Sequence, residues 1–336
     1  MAGAHQHARA HLPASSPNRA TELQAPAVNP DVSDEGPMGT MLPLIVALVP
    51  GRLPEMMNCS HSRVRSSRRR CISSVLDQWR EGSASRIFHA MQAAPKDIRA
   101  CVVNNSRSQY QEDLLLLPSL LRATGGRSGT FVELGALDGE RYSNSWLLET
   151  CFGWGGLLIE ANPKSFGALQ SNGHRQVAKR HSAVCDSPGT VRVTAAGDEV
   201  SGQVEQMAAR FQSSWKHRNR PSETVAVPCA PLSSLMHAAK MVRADLLSLD
   251  VEGAEAIVLR TIDPTAFRYV LVEMDGLRAD KDEEVHARLL GAGLEHVAHL
   301  RVPNSRVYAR PFDRAIASAR SARGGGRRGR ADDERA

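Results

Sequence analysis

The stretch ADLLSLDVEGAE, residues 244–255, decides how this chain is read. Its first half is an apolar run of the length of one buried strand, and its second half sets Asp250, Glu252 and Glu255 where that strand would end and a helix begin. In an open α/β sheet ligands occupy the crevice beyond the carboxyl ends of the strands, so carboxylates gathered there point to a site. Working outward, residues 129–139, GTFVELGALDG, repeat the plan: a short apolar strand ends in Glu133, and Gly135 and Gly139 follow in a turn. A helical stretch then runs from about 142 to 152, with Ser143 or Asn144 available to cap it. After Gly153 a second buried-type strand closes on Glu160, 25 residues past Gly135, the place where an acidic side chain holds a nucleoside cofactor's ribose hydroxyls.

A dinucleotide site asks for G-x-G-x-x-G, whose middle glycine lets a pyrophosphate sit against the helix start. The turn here runs Gly135-Ala136-Leu137-Asp138-Gly139; the middle glycine is missing and Asp138 would repel a diphosphate. S-adenosylmethionine carries an ammonium and a sulfonium and no phosphate, so an acidic turn suits it better.

Five blocks then stand in order: SQYQED at 108–113, FVELGALDGERYSNSW at 131–146, GGLLIEANP at 155–163, SAVCD at 182–186 and LSLDVEGAE at 247–255. In this order they resemble FkbM-type methyltransferases, over about residues 106–308. The resemblance implies a seven-stranded fold dependent on S-adenosylmethionine and methylation of hydroxyl groups on sugars or small metabolites. The expected fold class is therefore α/β: a doubly wound, mostly parallel sheet closed by a C-terminal antiparallel hairpin, the hairpin marked by the turn cluster Val302-Pro303-Asn304. Strands are expected near 130–134, 156–160, 181–185, 246–250, 269–273, 295–300 and 305–309, with short extra strands near 190–194 and 224–227. Helices are expected near 109–121, 143–152, 163–171, 231–240, 253–260 and 281–291.

The ends read differently. The domain is expected over 101–311, between a low-complexity, largely unstructured extension (1–100) and a basic Gly/Arg-rich tail (312–336). The chain's net charge of +6 divides into +4 over residues 1–100, +4 over 310–336 and −2 between them. The basicity belongs to the ends, so the domain itself is not read as nucleic-acid binding. The apolar run 41–49 is interrupted by Pro43 and is far short of the roughly 20 residues that cross a bilayer. A cytoplasmic location is the expectation, ahead of an organelle or secretory compartment. The six cysteines show no C-x-x-C pair and no zinc-finger spacing, a disulfide framework is not expected at this size, and Cys151 and Cys185 are expected to pack as small hydrophobes. The sequons at Asn58 and Asn104 matter only in a secreted chain. Between 197 and 222 lies an insertion in which Met207, Phe211 and Trp215 share helical spacing, either packing on the sheet or forming a lid.

The candidate site follows from these placements. Glu160 is expected on the ribose, Glu133 on the cofactor's amino group and Asp186 by the adenine amine. The turn residues Gly135, Ala136, Asp138 and Gly139, with Ala161 and Asn162 after the second strand, complete the cofactor contacts. Methyl transfer from a sulfonium is an in-line displacement, and an alcohol must lose its proton to complete it; Asp250, which also borders the cofactor, and Glu252 are the candidate bases, with Glu273 and Asp275 next. Hard carboxylate oxygens would also suit magnesium or calcium, but no spacing specifies a metal and none is assigned. Gln109 and Glu112 either close the cofactor pocket or merely decorate the leading helix. The competing readings are a nicotinamide-dependent oxidoreductase, against which the glycine spacing argues, and a non-catalytic interaction protein that keeps the fold.

Overall fold

The structure is a computed structural model that describes residue 70 and residues 96–194, 202–207, 224–274 and 276–311. The expected unstructured extension up to residue 95, the apolar run 41–49, the Gly/Arg tail, Asp275, Phe211 and Trp215 lie outside the described residues.

In chain order the elements are α1 (Lys96–Asn105), α2 (Glu112–Ala123), β1 (Thr130–Leu134), α3 (Trp146–Phe152), β2 (Gly155–Glu160), α4 (Pro163–Ser171), β3 (Ala178–His181), β4 (Ala183–Val184), β5 (Gly189–Thr194), β6 (Thr224–Ala230), α5 (Leu232–Ala238), β7 (Ala244–Leu249), α6 (Glu255–Arg260), β8 (Phe267–Glu273), α7 (Ala279–Gly291), β9 (Glu295–His296) and β10 (Ser305–Ala309). Seven strands form one sheet in the order β3-β2-β1-β7-β8-β10-β9, parallel from β3 to β8 and antiparallel at β10 and β9. The order reverses between β1 and β7, which pair from Phe131↔Leu246 to Leu134↔Leu249, so the crevice opens beyond their C-terminal ends.

Both faces of the sheet are covered, and the strands' near-continuous apolar runs follow from that. Alternate residues pack to opposite sides: Phe131, Leu158, Leu246 and Leu271 meet the leucines of α2 and Leu147 and Leu148 of α3. Val132, Leu157, Leu247 and Val270 meet Leu232 and Met236 of α5, Val258 and Leu259 of α6, and Val285 and Leu289 of α7. Pro118 sits inside α2 among buried leucines. No helix among the described residues is long and apolar enough to cross a membrane.

Three expectations are corrected. The third strand was placed at 181–185, but the sheet's strand is β3, AKRH, and the apolar run after it forms β4 in a separate three-stranded sheet with β6 and β5. An edge strand is only half buried and needs no apolar run, so AKRH carries no buried-strand signal. Met207 is buried but lies just after a turn whose Gln203 bridges Val193, not within a helix. The cysteines do not pack as free hydrophobes: Cys101 is bonded to Cys151, tying α1 to α3, and Cys185 to Cys229, tying the end of β4 to β6.

Candidate active site

The crevice beyond β1, β2, β7 and β8 holds a cavity of about 390 Å³, within the roughly 300–1,000 Å³ usual for small-ligand pockets. Glu133, Gly135, Glu160, Asp250, Glu252 and Glu273 all border it, so the acidic strand ends converge on one hollow. Among the described residues, no lysine, arginine or histidine lines it. A chamber of about 40 Å³ adjoins it, sharing Leu134, Gly135, Glu160 and Asp250 and walled by Ile159, Val184, Val193, Val251 and Val258.

Each wall has a local cause. Gly135 has φ +78°, and a Cβ there would lie 1.9 Å from the carbonyl oxygen of Asp250. The backbone that glycine admits is the protein's own, and it lets the ends of β1 and β7 close up beneath the cavity. Glu160, 4% exposed, accepts hydrogen bonds from the amides of Leu137 (2.8 Å, to Oε2) and Asn162 (2.7 Å, to Oε1). Burial pushes its carboxyl from 4.5 up to about 7, although those amides pull the other way. Each oxygen keeps a lone pair for a further donor.

Glu133 shapes the loop after β1. Its Oε1 accepts from the Asn144 amide at 2.7 Å, and its Oε2 accepts from the hydroxyls of Ser143 (2.9 Å) and Ser145. The buried guanidinium of Arg175 donates to the same two hydroxyls and to the Gly139 carbonyl, and pairs with Glu149 at 2.6 Å. This network delivers Tyr142 and Asn144 to the cavity. The Asn144 Nδ2 donates to the Ser248 hydroxyl, while its buried Oδ1 has no hydrogen-bond partner.

The block SQYQED builds a second loop in the same way. Asp113 accepts from the Ser106 hydroxyl (3.0 Å) and the Arg107 amide (2.9 Å), and the Ser108 hydroxyl accepts from the Asp113 amide (3.0 Å). These reciprocal bonds hold the loop before α2, and Gln109, Tyr110 and Glu112 border the cavity. Burial raises Glu112 from 4.5 to about 8. Ser108 also bridges Tyr142, joining the two loops.

The turn after β7 is held from two sides. Glu255 and Lys281, 0% and 4% exposed, form a buried pair at 3.1 Å, and Glu255 Oε1 accepts from the amides of Val251 and Gly253. Burial opposes the Lys281 charge, yet the Glu255 carboxylate outweighs it and its pKa is raised. Gly253 (φ +108°) packs against the Gln206 carbonyl and Gly202 against Glu252, so residues 202–207 brace the loop that carries Glu252.

The other sequence candidates sit elsewhere. Ala161 borders the small chamber. Ala136 is buried, and Asp138 accepts from the amides of Glu140 and Arg141, holding the turn. Gly139 packs against Leu169 and Arg175, and Asn162 caps α4 through the Lys164 and Ser165 amides. Asp186 is exposed, 3.8 Å from Arg260. Among the described residues no group of three or more His, Cys, Asp or Glu side chains is arranged to hold a metal ion. Tyr142, Ser248, Leu277, Asn304 and Ser305 line the cavity without any sequence signal that singled them out.

The doubly wound sheet thus carries a crevice lined by carboxylates from neighbouring strand ends. Residues 133–298 match the Methyltransferase FkbM domain. Among solved structures, the chain is similar to an FkbM methyltransferase from Methylobacillus flagellatus (12% identity, TM-score 0.34, covering 67% of this chain and 60% of that one). It therefore spans about three-fifths of that protein. It is also similar to precorrin-6y C5,15-methyltransferase from Geobacter metallireducens (11%, 0.32, 60% and 86%) and to Aeropyrum pernix fibrillarin with bound S-adenosyl-L-methionine (16%, 0.30, 55% and 66%). No curated protein matches the sequence.

Proposed function

We propose that the domain transfers a methyl group from S-adenosylmethionine to a hydroxyl of a sugar or small metabolite. The observation that carries this reading is one cavity bordered by carboxylates from neighbouring strand ends, with no basic side chain among the described residues of its lining and one unsatisfied acceptor, Asn144 Oδ1. That gathering of carboxylates fits a cationic cofactor without phosphate.

Glu160 holds the ribose hydroxyls with its remaining lone pairs. Asn144 Oδ1 accepts from the ammonium, and Glu133 serves by fixing Asn144. The apolar walls of the small chamber take the base, with Ala161 at its edge. When bound, the cofactor supplies an electrophilic methyl on a sulfonium. The protein's part is to hold the acceptor oxygen in line and to remove its proton: Asp250, at the cavity's floor, is the base, with Glu252 beside it. A polyanionic acceptor is repelled by the same carboxylates, which favours a small neutral hydroxyl compound over nucleic acid.

Calorimetric titration tests the cofactor: S-adenosylhomocysteine is expected to bind and NAD not, and the reverse would overturn the reading in favour of an oxidoreductase. For the base, Asp250→Asn is expected to lower turnover by the 10²–10⁴-fold typical of general-base loss while changing cofactor affinity little. An Asp250→Asn enzyme with undiminished kcat would remove that assignment.

A further inference from the structure

We propose that Asn104 carries an N-linked glycan, on a domain that forms its two disulfides in an oxidising, glycosylating compartment. Two independent features meet here. The first is the cysteines: all four among the described residues are paired, over separations of 50 and 44 residues, in two different parts of the fold. Cysteines kept merely as small apolar fillers have no reason to be juxtaposed twice, and such bridges persist in secretory rather than reducing compartments. The first bridge fastens α1, which lies outside the matched family domain, onto α3.

The second feature is the sequon Asn104-Asn105-Ser106 at the end of that same fastened helix, with an acceptor asparagine two residues before a serine and no proline between. The structure separates its two asparagines. Asn105 is committed: its Nδ2 donates to the Cys101 carbonyl and its Oδ1 accepts from Trp146 Nε1. Asn104 is exposed, and its backbone carbonyl accepts from Arg107 Nη1. The amide in the acceptor position is thus the one left facing solvent, where a bulky polar group costs nothing in packing. In the folded domain Ser106 is buried and donates to Asp113, so transfer takes place before that bond forms.

The chemistry is balanced by co-reactants of that compartment. Asn104 Nδ2 bonds to the anomeric carbon of a lipid-diphosphate oligosaccharide, the anomeric C–O bond breaks, the lipid diphosphate leaves and the amide proton passes to the transferase. Each cysteine pair gives two electrons and two protons to a disulfide-donating oxidoreductase.

The test is the full 336-residue chain produced in a eukaryotic cell line, as wild type, N58Q and N104Q. Treatment with a peptide-N-glycosidase is expected to shift the wild type and N58Q, and the Asn104-dependent shift is lost in N104Q. Alkylation without reductant is expected to leave Cys101, Cys151, Cys185 and Cys229 unlabelled. A shift unchanged by N104Q, no shift at all, or labelling of those four cysteines would each overturn the proposal. Matched melting temperatures for wild type after deglycosylation and N104Q exclude misfolding as the cause of a lost glycan.

Discussion

The ribose assignment is open to a sharp experiment through Glu160→Gln. The side chain is almost fully buried, and its two oxygens already accept the Leu137 and Asn162 amides, so an alanine would orphan both amides and confuse folding with binding. Glutamine keeps the volume and one acceptor oxygen while removing the charge, and leaves one of the two amides, rather than both, facing a donor. A hydrogen bond to a charged group is worth about 1.5–3 kcal/mol, so losing one such bond to the ribose weakens S-adenosylhomocysteine binding by roughly 10- to 150-fold at pH 8. The carboxyl titrates near 7, so at pH 6 about nine in ten wild-type molecules carry the proton and have lost that charge already. The protein's own affinity then falls by about tenfold, and the gap to Glu160→Gln narrows by the same factor. Calorimetry at pH 6, 7 and 8, with melting curves to confirm folding, reads this directly. Equal affinity of the two proteins at pH 8, or a gap that does not change with pH, would refute the assignment.

Gly135→Ala places a Cβ 1.9 Å from the Asp250 carbonyl oxygen, and backbone against backbone cannot be relieved by a rotamer change. Strain at positive φ costs about 1–2 kcal/mol before any overlap, so melting should fall by at least roughly 2 °C and cofactor binding should be lost. Gly155→Ala, which meets open space, is the control and is expected to be neutral; equal melting of the two would dismiss the close approach. Glu112 makes stability pH-dependent, since its folded pKa of about 8 lies above its ordinary 4.5. The native state keeps the proton between those values, so this contribution is complete below about 4.5 and disappears as pH rises through 8. Glu112→Gln should therefore flatten the decline of stability from pH 5 to 8 by up to about 1.4 kcal/mol per pH unit; parallel wild-type and variant curves would count against it.

Much of the sheet was legible because a strand buried on both faces must be apolar throughout, and LSL, FVEL and LLIE announce themselves against polar turns. The acidic residue closing each run marked the crevice, and Glu133, Glu160 and Asp250 do meet there. What stayed hidden depends on distances across the fold. Cys101 and Cys151 are 50 residues apart and become neighbours only when α1 lies on α3. Glu133 reads in sequence as a cofactor ligand; that it also gathers three hydrogen-bond donors from 143–145 follows from how the next loop folds back. Gly135 and Gly202 carry no mark of what their missing side chains admit, since their neighbours, Asp250 and Glu252, come from a strand end and a loop far along the chain.

The same distinction separates the parts of the cavity lining that the sequence marks from those it does not. One part is made by strand ends whose order follows from the fold. Another is made by Gln109 and Tyr110 from the loop before α2, Tyr142 from the loop after β1, Leu277 beyond β8 and Asn304 from the turn before β10. Gln109, Tyr110 and Asn304 lie outside the matched family stretch, and Ser108 couples the first loop to Tyr142. On the proposed reading, a change in these loops reshapes the acceptor's surroundings without touching Glu160 or the pairing of β1 with β7, so specificity for the acceptor is free to vary while the methyl-donor site stays constant.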